Sequence, residues 1–269
     1  MIEESGGGNH VAPKTIYNEI RRFFPVTIDN FFDNPDRIVK YAKSLPKEHD
    51  PEGKWPGKRT EALWKIDKDL NDAILLKIMS CYYDLSYQDI NWERSELYFQ
   101  EISTFSKNKN DVKNRGWIHT DANANDNEVA GLVYLTPDSD PDSGTSLFKV
   151  KPHKEYVIDN RQIAKHLLYK KEEFDEAYYI KKYKEHEECF IEKTRFANIY
   201  NRMIMYDTNE FHRANSFYND DGKDARLTLV FFIGGILARK WPLERVRDIA
   251  HTRLTPGDPI ENKEGIIKI

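Results

Sequence analysis

Apolar positions recur along this chain with two different periods. After Asp33-Asn34-Pro35, which places proline at a first helical position, Ile38, Val39, Tyr41 and Ala42 predict a helix that ends before Pro46. Leu70, Ile74, Leu75, Ile78 and Tyr82 share a face at helical spacing and predict a second helix over 68–84, with Cys81 inside it as a buried, inert thiol. From residue 97 the texture changes to short apolar and aromatic runs separated by Gly, Pro, Asn and Asp. These runs predict eight strands, near 97–105, 116–121, 128–136, 145–150, 196–200, 202–207, 211–217 and 225–234. A Lys/Glu/Tyr-rich segment at 160–192 interrupts them as a helical insert, and Trp241-Pro242 opens one more short helix.

The remaining stretches divide the chain further. Residues 1–14 contain SGGGN and predict a flexible lead-in; 15–32 carry β-type aromatic runs broken at Pro25; 47–65 are turn-rich and predict a surface loop. The expected organisation is a flexible 1–14 followed by one domain over 15–269. Within it, 15–96 form an N-terminal αβ support, 97–235 a β core carrying the 160–192 insert, and 236–269 a C-terminal extension. The fold class is mainly β with flanking helices, a sandwich or a barrel.

Composition narrows this. Of 269 residues, 39% are hydrophobic, 32% charged and 13% aromatic, with 15 Tyr, 14 Phe and 5 Trp. Aromatics favour pleated sheet and bury large areas, so a sizeable β core is compatible with a mean hydropathy of −0.75, and a disordered chain is excluded. No apolar stretch approaches the roughly 18 residues of a membrane span. The start, MIEESGGGNHVAPK, lacks the basic and apolar regions of a secretory signal. A net charge of −4 disfavours a nucleic-acid partner. Cys81 and Cys189 are too few for a disulfide framework or a cysteine zinc site, which points to a reducing, cytoplasmic compartment.

The candidate chemistry lies in RGWIHTDANAND, residues 115–126. In a strand, Trp117, His119 and Asp121 would face one way, so an imidazole and a carboxylate could hold two neighbouring positions on a divalent metal. His212, in YDTNEFHRANSFY, could supply a third ligand from another strand. Two imidazoles and one carboxylate are the facial set of non-haem Fe(II) oxygenases. Arg226 and Thr228 then alternate onto one face of the apolar run ARLTLVFFIGG, where a charged guanidinium needs an anion, either a ligand or a protein carboxylate such as Asp207.

Taken in order, HTD, GLVYLT, SGTSLFKV, NRMIMYDTNEFHRANSF and RLTLVFF resemble the 2-oxoglutarate/Fe(II)-dependent dioxygenases, in particular their prolyl-hydroxylase-like branch, over roughly residues 97–235. The resemblance implies a double-stranded β-helix (jelly-roll) core with an N-terminal helical layer. It implies His119, Asp121 and His212 as iron ligands, Arg226 as partner of the distal carboxylate of 2-oxoglutarate, and Thr228 and Tyr134 beside it. It also implies O2 as co-substrate, ascorbate as a candidate reductant, succinate and CO2 as products, and hydroxylation of a peptidyl or free amino acid. Three departures stand out: a long interval from Asp121 to His212, Phe105 where relatives often carry a second co-substrate tyrosine, and Ser143-Gly144 where Gly-Gly is usual. Asp121 itself argues against halogenation, since family members that halogenate carry a small residue there.

Blander readings stand beside these. His119 and Asp121 alone also fit a hydrogen-bonded pair at a strand end, Tyr134 fits core packing, and Trp117 fits either a pocket wall or the core. Arg213 points to solvent or to an anionic substrate, while Asn198 and Tyr200 lie on a strand that could face the cavity. His186 and Cys189 read as surface residues of the insert. The basic loop 106–116 reads as a solvated loop or a lid, and WPGKRT at 55–60 as an ordinary turn or a substrate-facing one. Two other functions share the metal ligands: a non-catalytic jelly-roll protein that binds metal or anion, and a metal-dependent hydrolase.

Overall fold

Along the strand Arg226–Gly234, Leu227, Leu229, Phe231 and Ile233 turn to one side and Arg226, Thr228, Val230 and Phe232 to the other. This strand lies between two antiparallel neighbours, Arg94–Ile102 and Val129–Tyr134, and the register passes its alternation to both. Phe231 stands opposite Leu97 and Gly131, and Thr228 opposite Gln100 and Tyr134. One face of the sheet is therefore a continuous apolar layer containing Leu97, Phe99, Val133, Leu229 and Phe231, all fully buried. The other face carries the polar and aromatic residues of a cavity.

The structure is a computed structural model that describes residues 23–86, 90–121, 128–152, 154, 168–169, 175–219, 225–238 and 242. In chain order its strands are β1 Val26–Ile28, β2 Glu48–His49, β3 Lys58–Arg59, β4 Ile90–Asn91, β5 Arg94–Ile102, β6 Val129–Tyr134, β7 Thr145–Val150, β8 Phe190–Phe196, β9 Met203–Asp207, β10 Phe211–Ala214, β11 Arg226–Gly234 and β12 Leu237–Ala238. Its helices are α1 Pro35–Ser44, α2 Leu63–Ile66, α3 Lys68–Met79 and α4 Glu176–Glu187.

The large sheet runs β1-β9-β6-β11-β5-β3-β2 and the small one β10-β7-β8. Residues 116–119 join the free side of β10, through Gly116 N to Ala214 O and a reciprocal pair between His119 and His212. Counting β5, segment 116–119, β6, β7, β8, β9, β10 and β11 as successive core strands, the sheets read first-eighth-third-sixth and second-seventh-fourth-fifth. That wiring is a double-stranded β-helix, or jelly roll. Ala130, Tyr134, Leu147, Phe196, Ile204 and Tyr206 pack between the sheets.

The outer face of the large sheet is covered by α1, α3 and the flanking chain. Asn34 caps α1, accepting from Arg37 N at 3.1 Å, and Asp67 caps α3, accepting from Leu70 N at 3.0 Å. Ile74, Leu75, Ile78 and Met79 of α3 meet Phe99 and Phe231 in one core. Helix α3 stops at Met79, short of 84, so Cys81 lies beyond it and is half-exposed. The loop predicted over 47–65 holds β2, β3 and the start of α2.

One strand lies elsewhere than the sequence pattern predicts. No strand spans 196–200; β8 occupies Phe190–Phe196, inside the stretch assigned to the helical insert. It is the edge of the small sheet, and its residues 191–195 are exposed and mostly polar or charged, a composition that edge strands share with helix surfaces. The predicted lead-in 1–14, the aromatic run as far as 22, insert residues 160–167 and 170–174, the helix after Pro242 and the extension beyond it lie outside the described residues.

Gly131 faces the ring of Phe231 across the β6–β11 ladder. A Cβ there would lie 2.4 Å from that ring and 2.3 Å from Ile204 O. Gly131→Ala is expected to lower unfolding free energy by about 1–3 kcal/mol, the usual cost of overpacking a core. Urea denaturation would measure it, and an unchanged midpoint would refute this account of the glycine.

Candidate metal centre

His119 and His212 are cross-strand partners: His119 N donates to His212 O at 3.0 Å and His212 N to His119 O at 2.8 Å. Directly opposed residues project from the same face, so the two rings meet with centroids 4.3 Å apart. Each ring is tied down in the same way. His119 Nδ1 lies 2.7 Å from Trp117 O and His212 Nδ1 lies 2.9 Å from Glu210 O, in both cases the carbonyl two residues back. Because a carbonyl only accepts, each Nδ1 carries a proton, and Nε2 is the nitrogen that each ring turns toward Asp121.

Both Nε2 atoms face Asp121, at 3.4 Å to Oδ1 for His119 and 3.1 Å to Oδ2 for His212. Asp121 N donates to Thr208 O at 3.0 Å, which returns the chain to the rim of the β9–β10 turn. Burial disfavours the charge on Asp121, but His212 and His119 outweigh it and hold the carboxyl well below the ordinary carboxylate range. The candidate ligand atoms all lie within 4.8 Å of one another. Two imidazole nitrogens, each ring held by a backbone carbonyl, and an ionised carboxylate oxygen are a donor set that fits a divalent metal.

The rest of the site lies on the inner face of the large sheet. Arg226 is 6% exposed, and its guanidinium stacks on Tyr134 at 5.5 Å and Phe217 at 5.9 Å. Its Nη1 donates to Ser216 O at 3.0 Å, while Nε has no partner and no carboxylate pairs with it among the described residues. Asp207, the alternative partner, instead accepts from Phe23 N and Asn209. Burial lowers the Arg226 pKa. Thr228 stands opposite Tyr134, whose hydroxyl donates to Thr145 Oγ1 at 2.9 Å. Arg226, Thr228, Phe217 and Thr145 line one cavity of about 400 Å³ together with the His–Asp–His cluster, and Tyr134 lies behind Arg226, outside that lining.

Several expected roles change. Trp117 lines the cavity and is also core, donating from its indole N–H to Tyr179 Oη at 3.0 Å. Arg213 faces away from the cavity and bonds Tyr183 Oη and Glu187 on α4. His186 is buried rather than on the surface, with Nε2 2.8 Å from Ile118 O. Tyr200 binds Asp36 of α1 at 2.6 Å and Asn198 binds Ser143 Oγ at 2.9 Å, both from the loop after β8 rather than from a strand. Phe105 packs on Tyr169 and Phe217. The 106–116 loop is fastened by Asn114, whose side chain makes four bonds to the backbone of 105–108.

The sequence reading missed Gln100, Tyr206 and the direction of Arg59. Gln100 and Arg59 fall on the same sheet row as Thr228, so the β11 alternation would have found them had the β3–β5–β11 register been known.

No curated protein matches this chain in sequence. Among solved structures it is similar to HygX from Streptomyces hygroscopicus with nickel, 2-oxoglutarate and hygromycin B bound, at 12% identity over 79% of this chain and 83% of that one, TM-score 0.47. A prolyl hydroxylase from Trichoplax adhaerens, in complex with a hypoxia inducible factor oxygen degradation domain peptide fragment, is 11% identical over 84% and 86%, TM-score 0.42. A Pseudomonas putida prolyl-4-hydroxylase is 10% identical over 78% and 92%, TM-score 0.43. The likeness is one of fold. Residues 15–233 match a family of unknown function, DUF6445, and this chain belongs to that family.

Proposed function

We propose that this protein is an Fe(II)- and 2-oxoglutarate-dependent dioxygenase that hydroxylates a peptidyl or free amino acid and releases succinate and CO2. The observation that carries this reading is one cavity containing both a His–Asp–His cluster and a buried guanidinium that lacks a carboxylate partner among the described residues. His119, Asp121 and His212 would hold the metal. Arg226 would take the distal carboxylate of 2-oxoglutarate, with Thr228 and Tyr134 beside it. A hydrolase would use the same three ligands but leave Arg226 without a task, and a non-catalytic metal- or anion-binding protein would form no succinate.

Iron and 2-oxoglutarate, when bound, supply the oxidising power by which O2 delivers one oxygen atom to substrate and one to succinate. The chain's own residues do the rest. The carbonyls of Trp117 and Glu210 keep the two imidazoles in the tautomer and orientation that present Nε2. Asp121 brings a charge that is already ionised, so metal binding displaces no proton from it. Arg226, desolvated between Tyr134 and Phe217, meets an anion in a medium where the attraction is far stronger than in water. Leu132, Val230 and Phe232 wall the cavity with apolar surface that excludes water.

Two outcomes are expected. His212→Ala should abolish tight Fe(II) binding, the weak visible band that appears on anaerobic addition of 2-oxoglutarate, and succinate formation with Fe(II), ascorbate and O2. Normal succinate yield from this variant, or no succinate from the wild type, would sink the reading. Arg226→Gln should weaken 2-oxoglutarate binding by about 10–100-fold, the worth of a charge-assisted hydrogen bond. Fe(II) affinity, read by calorimetry, should stay unchanged in that variant. An unaltered 2-oxoglutarate affinity would remove Arg226 from its role.

A further inference from the structure

A second guanidinium reaches the same cavity. Arg59 belongs to β3, and the register Arg59–Gln100–Thr228 sets it two strands from β11 on the inner face. Two strand spacings of about 4.8 Å and two residues of about 3.3 Å separate the Cα atoms of Arg59 and Arg226 by roughly 12 Å. They also rest on different rings. Arg59 lies over Trp55 at 4.5 Å, Tyr98 at 5.6 Å and Phe232 at 5.8 Å, none of which Arg226 touches. The cavity therefore has two separate cationic places.

Arg59 is held rigidly. Its Nη2 donates to Gln100 Oε1 at 3.3 Å, and Gln100 Nε2 in turn donates to Pro56 O at 2.7 Å. The Trp55-Pro56-Gly57-Lys58 turn that carries Trp55 over the guanidinium depends on Gly57, whose φ is +72° and whose added Cβ would lie 2.0 Å from Glu101 O. What is held in place is nevertheless unsatisfied. Arg59 Nε and the neighbouring Trp55 Nε1 are both buried and without a hydrogen-bond partner among the described residues. Buried donors of this kind call for an acceptor.

Charge balance names the kind of acceptor. Asp121 is the one carboxylate among the described cavity residues, while exposed Lys54 is already paired with Glu52. Burial pushes the Arg59 pKa down to about 10, so the group stays charged at neutral pH, and Asp121 is the first charge that supports it. Once Asp121 holds a divalent metal, that support is cancelled. A dianionic co-substrate at Arg226 and the metal leaves Arg59 uncompensated.

Resting on the dioxygenase reading above, we propose that Arg59 and Trp55 form the subsite that recognises a carboxylate of the primary substrate, a small acid with an apolar body. The planar fork of a guanidinium suits a carboxylate, and the single charge suits a monoanion. The same cavity offers apolar surface from Leu132, Val230 and Phe232, and the Phe232 ring lies beside Arg59. A cavity of about 400 Å³ is at the small end of ligand sites and also has to contain the co-substrate. The acid is therefore free or at the end of a chain, rather than the interior of a folded partner.

The test uses calorimetry on full-length protein loaded with redox-silent Mn(II). Titration with 2-oxoglutarate comes first, and failure of the wild type to bind it refutes the dioxygenase reading on its own. Matched pairs are then titrated into the 2-oxoglutarate-saturated protein: free L-amino acids and N-acetyl amino acids with their primary amides, and tripeptides with free or amidated C termini. At least one acid is expected to bind tenfold or more tightly than its amide, and the free-acid and peptide arms separate the two sources of the carboxylate. Arg59→Gln should erase that preference while 2-oxoglutarate affinity stays within twofold, and Arg59→Lys should restore part of it. No acid preferred over its amide, or a preference that survives in Arg59→Gln, overturns the proposal. Loss of 2-oxoglutarate binding in both folded variants also overturns it, by making Arg59 a co-substrate anchor.

Discussion

Two backbone hydrogen bonds between His119 and His212 set the geometry on which the site depends. They are a single bridge between the segment 116–119 and β10, and among the described residues no regular ladder continues on either side. A lone bridge at a sheet edge would be weak. It is reinforced from outside the sheets by α4, where Tyr183 Oη donates to Gly116 O at 3.2 Å, His186 Nε2 bonds Ile118 O, and Tyr179 and Tyr183 enclose Trp117 edge-on. Arg213, on the outward side of β10, pairs with Glu187 on the same helix. The insert thus grips both strands that carry the histidines. Since Trp117 O also orients the His119 ring, displacement of α4 would reach the His–Asp–His cluster within a few bonds.

The second constraint is the register of β11 between β5 and β6. A slip of one residue would send Arg226 and Thr228 into the layer occupied by Phe99, Phe231 and Ile78, and Phe231 into the cavity. The apolar layer under α1 and α3 therefore does more than stabilise the fold. It determines which side chains the cavity receives, because every residue it buries forces its neighbour inward. Gly131 is part of the same lock, being the one position on β6 where the Phe231 ring leaves no space for a side chain.

Much of this was legible from residue types and spacing. The inner strands alternate or are continuously apolar, the α1 cap and its proline are local signals, and HTD, FHRANSF and RLTLVFF carry their own chemistry. What stayed hidden depends on pairing. Strand β8 was read as helix because an edge strand with exposed residues at 191–195 has the composition of a helix surface. His186 is buried because its helix docks on Ile118, 68 residues away, and nothing local in the sequence says so. Arg59 sits in a turn-rich stretch, and only the β3–β5 pairing turns WPGKRT into a wall of the cavity.

The two arginines illustrate why an acidic chain can contain a cationic site. A net charge of −4 describes surface groups that water and salt screen, whereas Arg59 and Arg226 lie on one inner face, stacked on aromatic rings and without carboxylate partners among the described residues. A guanidinium tolerates this better than an ammonium would, since it is more weakly hydrated and keeps its charge. The rings replace lost water with their negative faces but offer no acceptor to Nε. Each arginine is thus partly compensated when the cavity is empty of ligand and fully compensated only when an anion is present. The desolvation is met by the fold, through the apolar layer behind the sheet and the Trp55 turn, before any ligand arrives. An anion entering this cavity would therefore meet donors that are already dry and oriented.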